Sequence, residues 1–185
     1  MLKIKNKTQS YNAIKKLNLN VFPMVHCKKG DIDKIEKFVK ENGDVTYIVR
    51  DEILISRKSI TRVKKEELIN YVNLSERYTV EVESITYADN RVLFGDIKIG
   101  TDNSFWFVGT DDGKVSGREK YSQYKWNINT DIFDKKIDRI PNINKIIKYI
   151  NDNKLENVIV EFAVFDRPVG VNNENVVIFE LRTDY

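Results

Sequence analysis

Two runs near the end of the chain, Val158 to Phe165 and Val176 to Leu181, are so apolar that both must be buried, yet each carries an acid, Glu161 and Glu180. A loop containing Pro168 and Gly170 joins them, so they read as a hairpin. Side chains alternate along a strand. Ile159, Glu161 and Ala163 therefore share one face of the first strand, and Ile178, Glu180 and Arg182 share one face of the second. A lone two-stranded hairpin is marginal in water, so earlier parts of the chain have to cover this one.

Those earlier parts show both periodicities. Tyr11, Ile14 and Leu17 at helical spacing predict a first helix over 8–17, with Thr8 or Ser10 able to cap it. Val21 to Val25, broken by Pro23, suits an edge strand or a strand start. Asp31 opens a second helical pattern through Ile32, Ile35, Phe38 and Val39, which Asn42-Gly43 ends. Thr46 to Val49 reads as a strand that Ile53 to Ile55 continues or pairs with. Lys64 to Val72 reads as a helix with Leu68, Ile69 and Val72 inward. From Tyr78 the period becomes two: Val80, Val82 and Ile85 suggest one strand, Arg91 to Ile99 a second, and Ser104 to Val108 a third, together an antiparallel meander. Ile140 to Ile150, opened by Pro141, is the clearest amphipathic helix.

The expected class is α+β, one compact domain over 1–185 with a small N-terminal αβ part (1–75). A central antiparallel sheet, a C-terminal helix and the terminal hairpin follow it (76–185). A length of 185 residues with 41% hydrophobic content is enough for a real core. Lys+Arg 31 against Asp+Glu 28 leaves a net charge of +3, which does not call for a nucleic-acid partner. The single cysteine, Cys27, excludes an intramolecular disulfide, and the opening residues lack the apolar run of a secretory signal, so a reducing cytoplasm is expected. No stretch has the apolar length of a membrane span.

The acids of the hairpin need a counter-charge, because a buried unpaired carboxylate costs on the order of several kcal/mol. Two arrangements supply one. Arg182 can pair with Glu161 or Glu180 as a structural ion pair, or a divalent metal can sit there holding a nucleotide's phosphates, since hard oxygen ligands suit magnesium.

The string Val160-Glu161-Phe162-Ala163, followed by Val177-Ile178-Phe179-Glu180-Leu181-Arg182-Thr183, resembles the end of the ATP-grasp domain of phosphoenolpyruvate synthases and pyruvate phosphate dikinases. The start resembles the same family: Lys7 before Tyr11, Ile14 and Leu17, then Leu19-Asn20-Val21 and Pro23, and further on Tyr47-Ile48-Val49-Arg50-Asp51. The resemblance implies an ATP-grasp-like fold that binds ATP and magnesium. It puts Glu161 and Glu180 on the metal, and Lys7, Arg50 and Arg182 near phosphate; a fixed guanidinium fork suits phosphate. Glu180 stands where the family carries glutamine, which keeps an oxygen ligand and adds a charge. Glu81 and Glu83, in Val80-Glu81-Val82-Glu83, stand where such domains meet the base or ribose; alternatively they form a solvent face. The family's glycine-rich phosphate loops have no counterpart beyond Val115-Ser116-Gly117-Arg118, which nominates Arg118. The implied activity is phosphoryl transfer or ATP-dependent activation of an unknown small-molecule or protein acceptor. The alternative is a non-catalytic scaffold that binds a protein partner.

Other chemistry has less support. His26 and Cys27 are adjacent, so on a strand they point to opposite faces and cannot form a dyad. Trp106, Trp126, Phe105, Phe107, Tyr121 and Tyr124 lie among Lys114, Arg118, Lys120 and Lys125 and could stack on single-stranded nucleic acid. Aromatics spaced by two also make the core of a meander, and that reading is preferred.

Overall fold

The computed structural model describes residues 3–52, 59–71, 75–99, 104–110, 125–127 and 143–183, with backbone alone for 92–95, 104–110, 125–127 and 143–144. The chain forms two compact units. The first comprises Met1–Val21 with Asn90–Tyr185, the second Phe22–Asp89.

The second unit is built on β1 (Met24–Lys28), α2 (Ile32–Asn42), β2 (Tyr47–Asp51), β3 (Ser59–Val63) and β4 (Arg77–Val82). All pairings are antiparallel, in the order β1-β4-β2-β3. β1 begins just after Pro23 and lies at a sheet edge, where a missing N–H does least harm. Helix α2 buries Ile35 and Phe38, and the Phe38 ring packs tilted against that of Tyr47, with centroids 6.0 Å apart. Cys27, Tyr78, Val80, Val82, Val49 and Val63 complete this core. Gly43 ends α2 at φ 73°, a conformation that favours glycine.

The first unit contains α1 (Lys7–Lys16), β5 (Arg91–Ile99), β6 (Ser104–Thr110), β7 (Lys125–Asn127), α3 (Ile143–Asp152), β8 (Val158–Val169) and β9 (Glu174–Thr183). Its five-stranded antiparallel sheet runs β7-β6-β5-β8-β9. Ile97, Ile99, Val158, Val160, Phe162, Val164, Val176, Ile178 and Leu181 from the sheet form one core with Ala13 and Ile14 of α1 and Ile146 and Ile150 of α3. The outer edge of β9 is covered by the start of the chain: Thr183 N donates to Ile4 O, Ile178 N to Asn20 O, and Leu181 N to Ser10 Oγ. An edge covered in this way offers no free ladder to another chain.

The expected mixed architecture with antiparallel sheets is present, and several details differ. The expected meander is divided, because β4 pairs with β1 and β2 in the other sheet, while β5, β6 and β7 form a meander of their own. Ile85 lies in a 3-10 helix, Ser84–Asn90, rather than in β4, and is exposed. A second 3-10 helix, Lys65–Tyr71, buries Leu68 and leaves Ile69 exposed. β3 was not legible from the pattern. Asn6 caps α1, its Oδ1 accepting from Gln9 N, so Ser10 is free to hold β9. Ile53 to Ile55, Val72 and Pro141 lie outside the described residues.

Candidate functional site

Strand β8 alternates strictly. Val158, Val160, Phe162 and Val164 enter the core, which turns Ile159, Glu161 and Ala163 to the opposite face of the sheet. The register sets Asp96 of β5, Glu161 of β8 and Glu180 of β9 directly opposite one another, three carboxylates in one row across three strands. In the next row on that face stand Lys98, Ile159 and Arg182.

A bulge makes this row possible. Glu161 pairs with Glu180 while Phe162 pairs with Ile178, so Phe179 is an extra residue in β9. The extra residue puts Ile178 in the core and Glu180 on the acid face. The expectation that Ile178 shares a face with Glu180 and Arg182 is thereby corrected: an unbroken strand would have forced either a buried acid into the core or an isoleucine out of it.

Lys7, the first residue of α1, donates from its ammonium to the carbonyl of Phe179 at this bulge, across 172 positions of sequence. Arg182 Nη1 donates to Glu180 Oε2 at 3.0 Å, with both side chains 20% exposed. The structural ion pair foreseen for Arg182 thus forms with Glu180. Among the described residues, no hydrogen bond or ion pair reaches the carboxylate of Glu161. Its pKa is raised from 4.5 to about 7, first by burial, then by the charges of Asp96 and Glu180, against the lowering effect of Lys7 and, less, Arg182. Asp96, 1% exposed, was missed in the sequence, although an acid followed by Ile97 and Ile99 at alternating positions is the same signal that marks Glu161.

Lys7, Glu161, Glu180 and Arg182 therefore gather in the first unit. Arg50, Glu81 and Glu83 belong to the second. Arg50 Nε donates to Glu81 Oε2 at 3.3 Å, and Glu81 is nearly buried rather than on a solvent face. Glu83, also buried, accepts from the backbone N of Arg62 at 2.8 Å. Arg118 lies outside the described residues, as do Tyr121 and Tyr124. His26 and Cys27 point to opposite faces as expected. His26 Nδ1 is 2.6 Å from Glu52 Oε1, while Cys27 is buried, its thiol pushed up to about 11 chiefly by burial. Among the described residues no three or more His, Cys, Asp and Glu are grouped so as to hold a metal ion, and no helix is long and apolar enough to cross a membrane.

The fold is similar to several solved enzymes. A macrocyclase bound with its precursor peptide from Microcystis aeruginosa matches with a TM-score of 0.59 at 13% identity, over 95% of this chain and 51% of that one. The D-alanine–D-alanine ligase of Bacillus anthracis complexed with ATP matches at 0.53 and 12% identity, over 96% and 52%. The ADP complex of N5-carboxyaminoimidazole ribonucleotide synthetase matches at 0.55 and 11% identity, over 99% and 46%. This is the ATP-grasp fold. The chain spans about half the length of these ATP-grasp enzymes. No protein-family model matches the sequence, and no curated protein matches it.

Proposed function

We propose that the acid row of the terminal hairpin receives a magnesium–ATP complex, with Glu161 and Glu180 toward the metal and Lys7 and Arg182 toward phosphate oxygens. The observation that supports it most is Glu161, a carboxylate enclosed beside two other acids and held near pKa 7, an environment that favours an added cation. The donor set fits magnesium, which takes one or two carboxylates and completes its shell with phosphate and water. Bound there, magnesium would neutralise charge on the phosphates. Lys7 and Arg182 supply fixed positive charge for the same phosphates.

The reaction class is ATP-dependent activation of an acceptor, by ligation or phosphoryl transfer, and the acceptor is a small molecule or a protein. Ligation is favoured by the ligase and synthetase among the structural neighbours, and a peptide acceptor by the macrocyclase. The phosphoenolpyruvate synthase and dikinase type rests on the terminal motifs alone. Arg50, Glu81, Glu83 and Arg118 remain nominees by resemblance. The first three already hold partners, so the proposal does not lean on them. A cytoplasmic location accompanies this reading.

Titration calorimetry with ATP at millimolar magnesium tests it. Binding to the wild type and loss of metal-dependent affinity in Glu161→Gln, with circular dichroism unchanged, is the expected result. If the wild type gives no heat, the nucleotide reading is abandoned for a scaffold that binds a protein partner. Thermal stabilisation by a single-stranded oligonucleotide alone would favour the nucleic-acid reading instead.

A further inference from the structure

We propose that the helix layer of the first unit, the outward faces of α1 and α3, is a docking surface for the phosphate backbone of a nucleic acid, gripped without regard to base sequence. The inference goes beyond the nucleotide reading above and does not depend on it, since it rests on the other side of the sheet from the acid row.

A net charge of +3 conceals a segregation. Residues 1–21 contain five lysines and no acid, and residues 143–157 contain three lysines against two acids. Taking those eight lysines and two acids from the 31 cations and 28 acids of the whole chain leaves 23 against 26, so the remainder is net negative. The fold puts the two basic segments in one layer: Ala13 and Ile14 of α1 and Ile146 and Ile150 of α3 pack into one core on the same face of the sheet, which turns the opposite sides of both helices outward. Gln9, Asn12 and Lys16 recur at the spacing of one stripe of α1 and are exposed, with the exposed Lys5 just ahead of them, its N–H bonded to Gln9 Oε1. Lys15, Lys145 and Lys148 are exposed as well, and only Lys148 among them meets an acid, Asp152 at 2.9 Å in an i,i+4 pair of small worth. The large apolar side chains that are exposed lie elsewhere, Ile32, Ile60, Ile69 and Ile85 in the second unit and Val171 in the β8–β9 turn. Among the described residues the helix layer thus offers ammonium and amide donors and no apolar anchor of the kind that seats a protein partner or an interfacial helix. Lysine, asparagine and glutamine side chains donate to phosphate oxygens, and such contacts hold a protein on a nucleic acid without reading its bases. A helix of ten residues is about 15 Å long, which matches roughly four to five phosphates of one strand at about 3.4 Å of axis each.

The test is the fluorescence anisotropy of a labelled DNA duplex of random sequence, titrated with the whole chain over a range of salt. Four engaged phosphates give a slope of log affinity against log salt of about −3.6, so the wild type should bind about a hundredfold more weakly at about 200 mM than at about 50 mM. Combining Lys5→Gln, Lys15→Gln, Lys16→Gln and Lys145→Gln should flatten the slope by about 0.9 for each lysine removed. Arginine at the same four positions should bind as the wild type does, and Lys34→Gln with Lys37→Gln and Lys40→Gln, exposed on α2, should change nothing. A wild type that leaves the duplex unbound at low salt overturns the proposal, and so does binding that the quadruple variant keeps or loses no more than the α2 variant. Tighter binding to polyglutamate or to phosphatidylserine vesicles than to the duplex overturns it in favour of a protein or a membrane surface. Should the quadruple variant not fold, the pairs Lys15→Gln with Lys16→Gln and Lys5→Gln with Lys145→Gln decide, each expected to flatten the slope by about 1.8, and an unchanged slope in both overturns the proposal. The nucleotide reading fails on a different observation, absence of ATP binding to the wild type, and duplex binding by the helix layer would survive that failure.

Discussion

Replacing Glu161 by Gln should stabilise this protein at alkaline pH. The carboxyl of Glu161 is raised from 4.5 to about 7 in the folded chain, so the native state holds its proton more tightly than the unfolded one. Stability then falls as pH rises wherever the native state binds more protons, here between about 4.5 and about 7. Below that window both states are protonated and the group contributes nothing. Above it, the full cost of ionising an enclosed carboxyl is present. At about 1.36 kcal/mol per pH unit, a gap of about 2.5 units corresponds to about 3 kcal/mol. Partial exposure of the side chain trims this to about 1–3 kcal/mol. Gln cannot ionise and copies the shape of the neutral acid, so the variant escapes the penalty.

Urea melts at pH 4.5 and pH 8, both with chelator present, should show the two proteins alike at the lower pH and Glu161→Gln ahead at the higher. For a chain of this size the gain corresponds to a rise of about 3–10 °C in Tm. The opposite sign refutes the reasoning: a variant weaker than wild type by about 3–5 kcal/mol at pH 8 is what removal of one partner from a buried ion pair produces. The geometry argues against that outcome, since Arg182 is bonded to Glu180.

Three further outcomes follow from the rest of the structure. Cys27 is buried with its thiol pushed up to about 11, so alkylation at pH 8 should be slow in the native protein and become rapid on unfolding; fast native labelling would contradict the burial of β1 against α2. Asn20, 2% exposed, donates to the carbonyls of Val169 and Val176 and accepts from Asn172 N, so Asn20→Ala should cost about 2–4 kcal/mol in a urea melt, and a loss below about 0.5 kcal/mol would show that water or relaxation replaces these bonds. Gly170, at φ 80° with Asn20 Oδ1 2.5 Å from where a Cβ would stand, should tolerate Ala no better, as the same melt would report.

Local pattern was enough for α1, α2, α3 and the strands of the terminal hairpin, because amphipathic period and turn residues act over a few positions. It was also enough to put Glu161 on one face with Ile159 and Ala163, since side chains alternate from Val158 to Val164; that this face lies away from the core was decided by the packing. What it could not supply is anything that depends on which segments pair. Whether β4 joins β5 or β2 is a question of long-range register, and the apolar alternation of Val80 and Val82 serves either sheet equally. The extra residue at Phe179 is invisible in the string, yet it alone turns Glu180 toward Glu161 and exposes the carbonyl that Lys7 reaches. Asp96 became part of the row only when β5 was set beside β8, and Arg50 found Glu81 rather than its own neighbours for the same reason: strand pairing brings together groups that the chain separates, and burial between them makes their charges matter.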